Sequence, residues 1–563
     1  MSNAIFHTPD PVNEPVLDYA PDSPERAALQ QRLSELKGQT IDVPAFINGE
    51  AVHTEDTTRI TPPHDHGTTL GHLHQSGADE TRRAIEAALN AKSEWAAMDW
   101  QDRAAIFLRA AELAAGPWRD TLNASTMLGQ GKNAHQAEID AACEFIDFLR
   151  FNVRYMEQIY TEQPDNGDGV WNQMEYRPLE GFVLAVTPFN FTAIQGNLPT
   201  APAMMGNTIL WKPSSTSAYS AYFTYKLLEE AGLPPGVINM LPADDGAQVG
   251  TPALESEHFA GLHFTGSLST FQHLWQQIAE NLPNYRTFPT IVGETGGKDF
   301  IVAHPSANSD ALTAAIVRGS FEYQGQKCSA ASRLYIPESL WSDMKADLID
   351  QVQSLNVGSP EDFTNFINAV IDEQAYTKIT GYIDQAAQDD DASILCGGSH
   401  SDDEGYFIDP TVIQVDDPKH VTMREEIFGP VTSVYVYPDA EYEDTLDLID
   451  DTSPYALTGA IFAKDREAIH TTRTRLKDAA GNFYINDKPT GAVVGQQPFG
   501  GARRSGTNDK AGSRLNLARW ISPRAIKENF NPPTSYEYAF HQPDTKDAED
   551  QRQLADTGNG SVT

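Results

Sequence analysis

Gly181-Phe182-Val183-Leu184-Ala185-Val186, Thr208-Ile209-Leu210-Trp211, Gly236-Val237-Ile238-Asn239-Met240 and Gly261-Leu262-His263-Phe264 read as four short buried strands. Helices fit between them, as at Ala218 to Ala231, which Gly232 and Pro234 close. Short strands alternating with helices build a parallel, doubly wound sheet. A second alternating region runs from Thr290 to about Asn486, so the chain reads as two α/β units in tandem. In such a pair one unit binds a cofactor, the other supplies the chemistry, and the active site lies between them.

Upstream of this core, helical periodicity runs from about Asp79 to Tyr160, with apolar residues three and four apart in Ala141-Ala142-Cys143-Glu144-Phe145-Ile146-Asp147-Phe148-Leu149. Before it, from Val43, the chain is strand-like. Pro62-Pro63-His64-Asp65-His66-Gly67 and Gly71-His72-Leu73-His74 bring four histidines close in sequence. The Pro/Gly punctuation reads as a hairpin feeding a helix that begins near Ala78, not as a metal site. The first 40 residues are Pro- and Asp-rich ahead of a helical stretch, and read as an arm on the surface or on a neighbouring subunit. Residues 543–563, with Asp544, Asp547, Glu549 and Asp550, read as a disordered acidic tail.

The chain carries 79 acidic against 40 basic side chains, a net charge of −39. That field repels nucleic acid and anionic membranes. The excess sits in loop-like clusters such as Asp389-Asp390-Asp391, Asp402-Asp403-Glu404 and Asp416-Asp417. These are either ordinary solvated surface or an adaptation to high salt, where screening relieves self-repulsion. No run of about 18 apolar residues and no signal-like leader occurs, which places the chain in the cytoplasm. Cys143, Cys328 and Cys396 are far apart, odd in number and without CxxC spacing, so a reducing compartment is expected.

Gly325-Gln326-Lys327-Cys328-Ser329-Ala330 sets a cysteine after a Gly/Gln/Lys turn and before small residues, with its sulfur accessible and near backbone N–H groups. Lys327 beside it favours the thiolate, the reactive form; the competing reading is a small buried hydrophobe. Gly293-Glu294-Thr295-Gly296-Gly297-Lys298 puts a carboxylate at the end of strand-like Thr290-Ile291-Val292. There it either acts as a general base for water or caps the next helix. Thr187-Pro188-Phe189-Asn190-Phe191 offers an amide NH2 to a developing oxyanion, or simply turns the chain. Trp211-Lys212-Pro213-Ser214 presents a cation to ribose hydroxyls or phosphate. Phe264-Thr265-Gly266-Ser267 opens a helix from about Ser269 to Leu282 whose N-terminus suits a pyrophosphate. Neither is a Gly-x-Gly-x-x-Gly or Walker A motif, so a plain strand-to-helix turn remains the alternative.

Taken in order, Pro188-Phe189-Asn190, Trp211-Lys212-Pro213-Ser214, Phe264-Thr265-Gly266-Ser267, Glu294-Thr295-Gly296-Gly297-Lys298, Gly325-Gln326-Lys327-Cys328 and Glu425-Glu426-Ile427-Phe428-Gly429-Pro430 resemble the aldehyde dehydrogenase superfamily, from about Val43 to Lys527. Ordered motifs over that length are specific where any one is not. The resemblance implies an α/β fold with a Rossmann-type NAD-binding domain (41–160 and 181–290), a catalytic domain (291–490) and a small β oligomerisation flap (161–180 and 515–540), besides the 1–40 arm and the tail. It implies NAD as cofactor, with Lys212 and Glu426 on the riboses, Ser214 in the same motif, Gly266 and Ser267 at the pyrophosphate and Phe428 near the nicotinamide. Ser215 stands where many NAD-preferring relatives carry an acid that repels a 2′-phosphate. By the same resemblance Cys328 attacks the aldehyde, Asn190 and the Cys328 N–H hold the oxyanion, and Glu294 activates water to hydrolyse the thioester.

The longer runs Pro188 to Ile194, Phe321 to Ala330, Asn482 to Lys488 and Gln496 to Asn508 look like the 1-pyrroline-5-carboxylate dehydrogenases, which oxidise glutamate γ-semialdehyde to glutamate in proline breakdown. Their substrate positions fall on Ser329 and the Thr490-Gly491-Ala492 loop for the α-carboxylate, Glu144 for the α-ammonium, and Phe191 and Phe499 for the aliphatic chain, with Lys327 among them. Ala492 replaces the usual serine. A homodimer or higher homo-oligomer through the flap is implied, with proline dehydrogenase as pathway partner. The rivals are a dehydrogenase of another aldehyde using NAD(P), a CoA-acylating enzyme, for which Glu294 is superfluous, and an inactive structural relative, which would have lost Cys328, Glu294 or Asn190.

Overall fold

The computed structural model describes residues 4–542 and 552–553, so the expected acidic tail lies outside the described residues but for that last pair. One compact unit takes in Met1–Ile159 and Arg177–Ser522; a second takes in Tyr160–Tyr176 and Pro523–Thr563.

The first unit holds two seven-stranded sheets. Strands β1 (Ala45–Ile47), β2 (Glu50–Val52), β3 (Phe182–Val186), β4 (Thr208–Lys212), β5 (Ile238–Met240), β6 (Phe259–Thr265) and β7 (Thr290–Glu294) form one, in the order β7-β6-β3-β4-β5-β1-β2. Strands β3 to β7 are parallel, and β1 and β2 join as an antiparallel hairpin. Their apolar runs are buried throughout β4 and β5, as a sheet covered by helices on both faces requires. The chain starts at β3, steps to β4 and β5, then returns to the other side of β3 for β6 and β7. That reversal opens a crevice at the carboxyl ends of β3 and β6, where sheets of this kind bind ligands.

Strands β8 (Asp299–Ala303), β9 (Ala331–Pro337), β10 (Ala392–Cys396), β11 (Thr411–Val415), β12 (Val431–Tyr437), β13 (Thr458–Phe462) and β14 (Asn482–Ile485) form the second sheet, in the order β10-β11-β12-β9-β8-β13-β14. All are parallel except β10. Phe300 and Val302 pack into the core on one face while Ile301 and Ala303 pack on the other, the period-2 signature of a strand buried on both sides. The boundary expected at residue 291 moves to 294. Strand β7 stays paired with β6 as far as Thr265↔Glu294, and only Thr295 to Lys298 then carry the chain to β8. The carboxyl edge of one sheet is thereby tied to the amino edge of the other.

The helical region contains a widened π-helical turn at Glu138–Glu144 between Ala134–Ala137 and Phe145–Thr161. Such turns often mark functional sites. The arm lies along its own chain. Thr8 N donates to Glu157 at 2.8 Å, Asn13 Nδ2 to Asp147 at 2.7 Å and Leu17 N to Glu138 at 2.9 Å, so charged acceptors on the helical region hold it down.

In the flap, Val170–Pro178 pairs with Ile521–Asn529 in a two-stranded ribbon, pinned by Arg524 Nε donating to Glu175 at 2.8 Å. The second unit begins at 523, later than the expected 515. Arg514–Leu517 is a helix of the first unit, and Trp520 is buried there, its ring 4.6 Å from that of His263.

Candidate active site

Cys328 lies on the short loop between the Ser309–Phe321 helix and β9. Three successive left-handed residues precede it: Tyr323 and Gln324, each at φ 54°, and Gly325 at φ 65°. For the first two this costs about 1–3 kcal/mol each, so the surroundings must hold them. Gln324 Nε2 donates to the Gly131 and Ala369 carbonyls, each at 2.9 Å, and Ile371 N donates to Gln326 Oε1 at 2.9 Å. A Cβ on Gly297 would stand 2.2 Å from the Cys328 carbonyl oxygen. Glycine there is what lets the 295–298 crossing lie against the nucleophile's backbone.

Asn190 follows β3 and its Nδ2 donates to the Gln326 carbonyl at 3.0 Å. This ties the amide to the cysteine loop and leaves its second N–H to give. Glu294, at the end of β7, shares a narrow cavity with Cys328, Glu144 and Phe499. Gly501 N donates to Glu294 Oε2 at 2.8 Å, yet burial raises the carboxyl well above its ordinary range. Burial likewise pushes the Cys328 thiol up, and the carboxylates of Asp299, Glu426 and Glu294 add to the rise. Burial thus favours the neutral thiol, and attack by the sulfur calls for a base.

Lys327 does not supply the compensating charge expected of it. Its Nζ stands 3.0 Å from Glu322 Oε2 in a buried ion pair, so its charge is already matched by a carboxylate. Against the cost of burial, Lys327 and Lys488 hold Glu322 down to about 2.

A cavity of about 440 Å³ meets the same sulfur. Glu144, Phe191, Lys327, Ser329, Gly491, Ala492 and Phe499, the substrate positions expected from sequence, are all in its wall. Ser329 Oγ donates to Thr490 Oγ1 at 2.8 Å, and Lys488 Nζ to the Thr490 carbonyl at 3.0 Å. Burial, aided by Asp140 and opposed by Lys132, raises Glu144 to about 8. His135, Lys488, Asn13 and Glu14 also line this cavity and were not foreseen. A histidine in a helix and an arm hundreds of residues upstream carry no local motif.

The expected cofactor residues sit at the strand ends. Lys212 closes β4, buried and without a hydrogen-bond partner among the described residues; burial lowers it to about 8 against the pull of Asp244 and Asp245. Gly297 N donates to Glu426 Oε1 at 3.0 Å, and a Cβ on Gly296 would stand 2.2 Å from either Glu426 carboxylate oxygen. Phe428 holds φ 63°, a strained value for a bulky side chain, with its ring edge-on to Phe189 at 5.9 Å. Ser267 Oγ caps the Leu268–Asn281 helix by accepting from Thr270 N at 3.2 Å, and Ser214 Oγ pairs with Thr216 Oγ1 at 3.1 Å. With the Ser267 hydroxyl engaged, the turn after Gly266 offers an anion its backbone N–H groups. The four histidines divide, His64 and His66 in the turn after Pro62-Pro63 and His72 and His74 on the Gly71–His74 strand.

A thiol on a strained turn, a buried carboxylate and an amide at neighbouring strand ends define a two-sheet α/β enzyme with a cysteine nucleophile. The chain belongs to the aldehyde dehydrogenase family, whose model matches residues 51–526. It is similar to the delta-1-pyrroline-5-carboxylate dehydrogenase of Agaricus bisporus, 52% identical over 530 residues covering 94% of this chain and 96% of that one. The mitochondrial delta-1-pyrroline-5-carboxylate dehydrogenase of Homo sapiens is 48% identical over 531 residues, 94% of each chain. The crystal structure of the delta-pyrroline-5-carboxylate dehydrogenase from Mycobacterium tuberculosis bound with NAD superposes with a TM-score of 0.93 at 52% identity, over 96% of this chain and 100% of that one.

Proposed function

We propose that this protein oxidises L-glutamate γ-semialdehyde, in equilibrium with 1-pyrroline-5-carboxylate, to L-glutamate with NAD+, as the second step of proline catabolism. The wall of the 440 Å³ cavity carries the reading: besides Cys328 it holds an acid, Glu144, a cation, Lys327, and the hydroxyl of Ser329, with Phe191 and Phe499 also lining it. An α-amino acid aldehyde needs both signs of charge.

In this reading the Cys328 sulfur adds to the aldehyde carbon as its proton leaves, and ionised Glu294, in the same cavity, is the base at hand. The free N–H of Asn190 and the Cys328 N–H donate to the oxyanion. NAD+, when bound at these strand ends, would supply the hydride acceptor. Glu294 passes the thiol proton on to solvent and, ionised again, takes one from the water that cleaves the thioester; the Gly501 N–H and Lys510 favour its ionised form against burial. The residues present fit the cofactor: Lys212 is a buried cation with no hydrogen-bond partner among the described residues, and Gly296 keeps open the room that Glu426 occupies.

The 41–160 and 181–294 segments would hold NAD, the sheet from β8 to β14 the chemistry, and the flap a homodimer, with Trp171 and Phe530 left exposed for a partner. Proline dehydrogenase would supply the substrate. No helix among the described residues is long and apolar enough to cross a membrane, and the three free thiols support a reducing compartment, here the cytoplasm.

The test compares kcat/KM for the semialdehyde, propanal and hexanal. Buried polar groups left unpaired cost about 1–3 kcal/mol each, so the plain aldehydes should lose about 10²-fold or more. A plain aldehyde that equals the semialdehyde overturns the assignment.

A further inference from the structure

Away from the cleft, strand pairing gathers a second set of ligating side chains. The segment Ile41–Val43 runs parallel to Gly71–His74, with Asp42 opposite His72. Side chains two apart on a strand share a face, so Asp42, His72 and His74 stand on one side of this small sheet. His53, just past β2, completes the group: one donor atom each from Asp42, His53 and His74 lies within 4.8 Å of the others, the only such trio among the described residues. His72 Nδ1 is 3.8 Å from Asp42 Oδ1, within reach as a fourth donor.

His74 is what makes this more than a surface cluster. It is 9% exposed, and its Nε2 has no hydrogen-bond partner among the described residues. Its Nδ1 stands 2.8 Å from the Thr54 carbonyl and 3.1 Å from Thr54 N, the carbonyl being the nearer of the two. Donation there leaves the lone pair on Nε2, the arrangement by which a carbonyl orients a metal-binding imidazole. Thr54 is itself fixed, its Oγ1 donating to the Gln75 carbonyl at 3.0 Å.

We propose that Asp42, His53 and His74 bind one divalent cation of the zinc class, outside the active site. Two imidazoles and a carboxylate suit Zn2+, whose tetrahedral ligands stand about 3.4 Å apart at bond lengths near 2.0–2.2 Å. Asp42 and His53 are exposed and swing in to meet the buried His74. The ion would pin the end of the β1–β2 hairpin, at the edge of the cofactor sheet, to the 41–74 sheet.

The test titrates Zn2+ into the Cys328→Ser chain by calorimetry, which removes the active-site thiol as a competing ligand. One site is expected, weakened about 10- to 100-fold or more by His53→Ala and by Asp42→Asn, and unmoved by His470→Ala on a distant exposed helix. Both substitutions are at exposed positions, so equal melting temperatures without metal verify folding, and Zn2+ should raise the melting temperature of the parent chain alone. Equal zinc affinity with and without His53 overturns the proposal, as does zinc binding that leaves the melting temperatures of parent and His53→Ala shifted alike.

Discussion

The region around Arg119 and the cleft around Cys328 both bury carboxylates, and they treat them in opposite ways. Glu138 accepts from Arg119, Tyr19 and Asn123 side chains and from Leu17 N, and these donors hold it below the ordinary carboxylate range despite burial. Asp299 and Glu144 in the cleft are pushed up to about 8 by burial, and Glu294 well above its usual value. Glu144 has no hydrogen-bond partner among the described residues. Depth alone therefore does not fix charge; the supply of donors does. A carboxylate saturated with donors serves the scaffold, while one kept short of them stays ready to exchange a proton.

The largest test of that contrast is Glu294→Gln. Steady NADH formation should fall by about 10²–10⁴-fold, with at most one NADH per site released in a first turnover, as rapid-mixing absorbance would record. Steady turnover near the parent rate would place the base elsewhere. Glu138→Gln should act on stability instead, because it removes one of the two carboxylates that pair with buried Arg119, Glu14 being the other; about 1–3 kcal/mol should be lost from unfolding in urea. A loss below about 1 kcal/mol would put Glu138 in the cleft's category rather than the scaffold's.

Glu144 sharpens the comparison through pH. Its folded value, about 8, exceeds the ordinary 4.5, so the folded chain holds the proton more tightly. The stability this gives is full below pH 4.5 and is lost as pH rises through 8. Glu144→Gln should flatten that decline in melting temperature between the two values; parallel curves would dismiss the shift. The smallest effect concerns the exposed acids outside both regions. If the net charge of −39 is a salt adaptation, melting temperature should climb as KCl rises from about 0.1 M towards 1 M, where the screening length shrinks to about 3 Å. A flat or falling curve rejects it.

How much of this the sequence disclosed follows from the range of the forces involved. Strands β3 to β7 and the residues at their ends, Asn190, Lys212, Gly266 and Glu294, were legible because apolar runs and turn residues act locally. Lys327 was misread as a partner of the thiol, since adjacency in sequence says nothing of where a long side chain turns; Glu322, five residues earlier, captured it. The π turn at Glu138–Glu144 escaped because apolar spacings of three and four do not distinguish one extra residue in a helix. The Asp42–His53–His74 group escaped for a topological reason: two strands had to pair, and the chain just past β2 had to come beside them, before the three side chains met.

The arm's place in the cavity wall bears on how the protein is made. Asn13 Nδ2 donates to the Val494 carbonyl at 2.8 Å, a contact spanning 481 positions, and Asn13 Oδ1 accepts from Gln496 at 2.9 Å. The arm is thus translated 481 positions ahead of the wall segment it bonds. At about 5–20 residues per second, the arm waits for tens of seconds before its partner exists. Until then a nascent chain with its helices and most strands in place has an unfinished substrate site, and ligand binding can report only on chains extended past that segment.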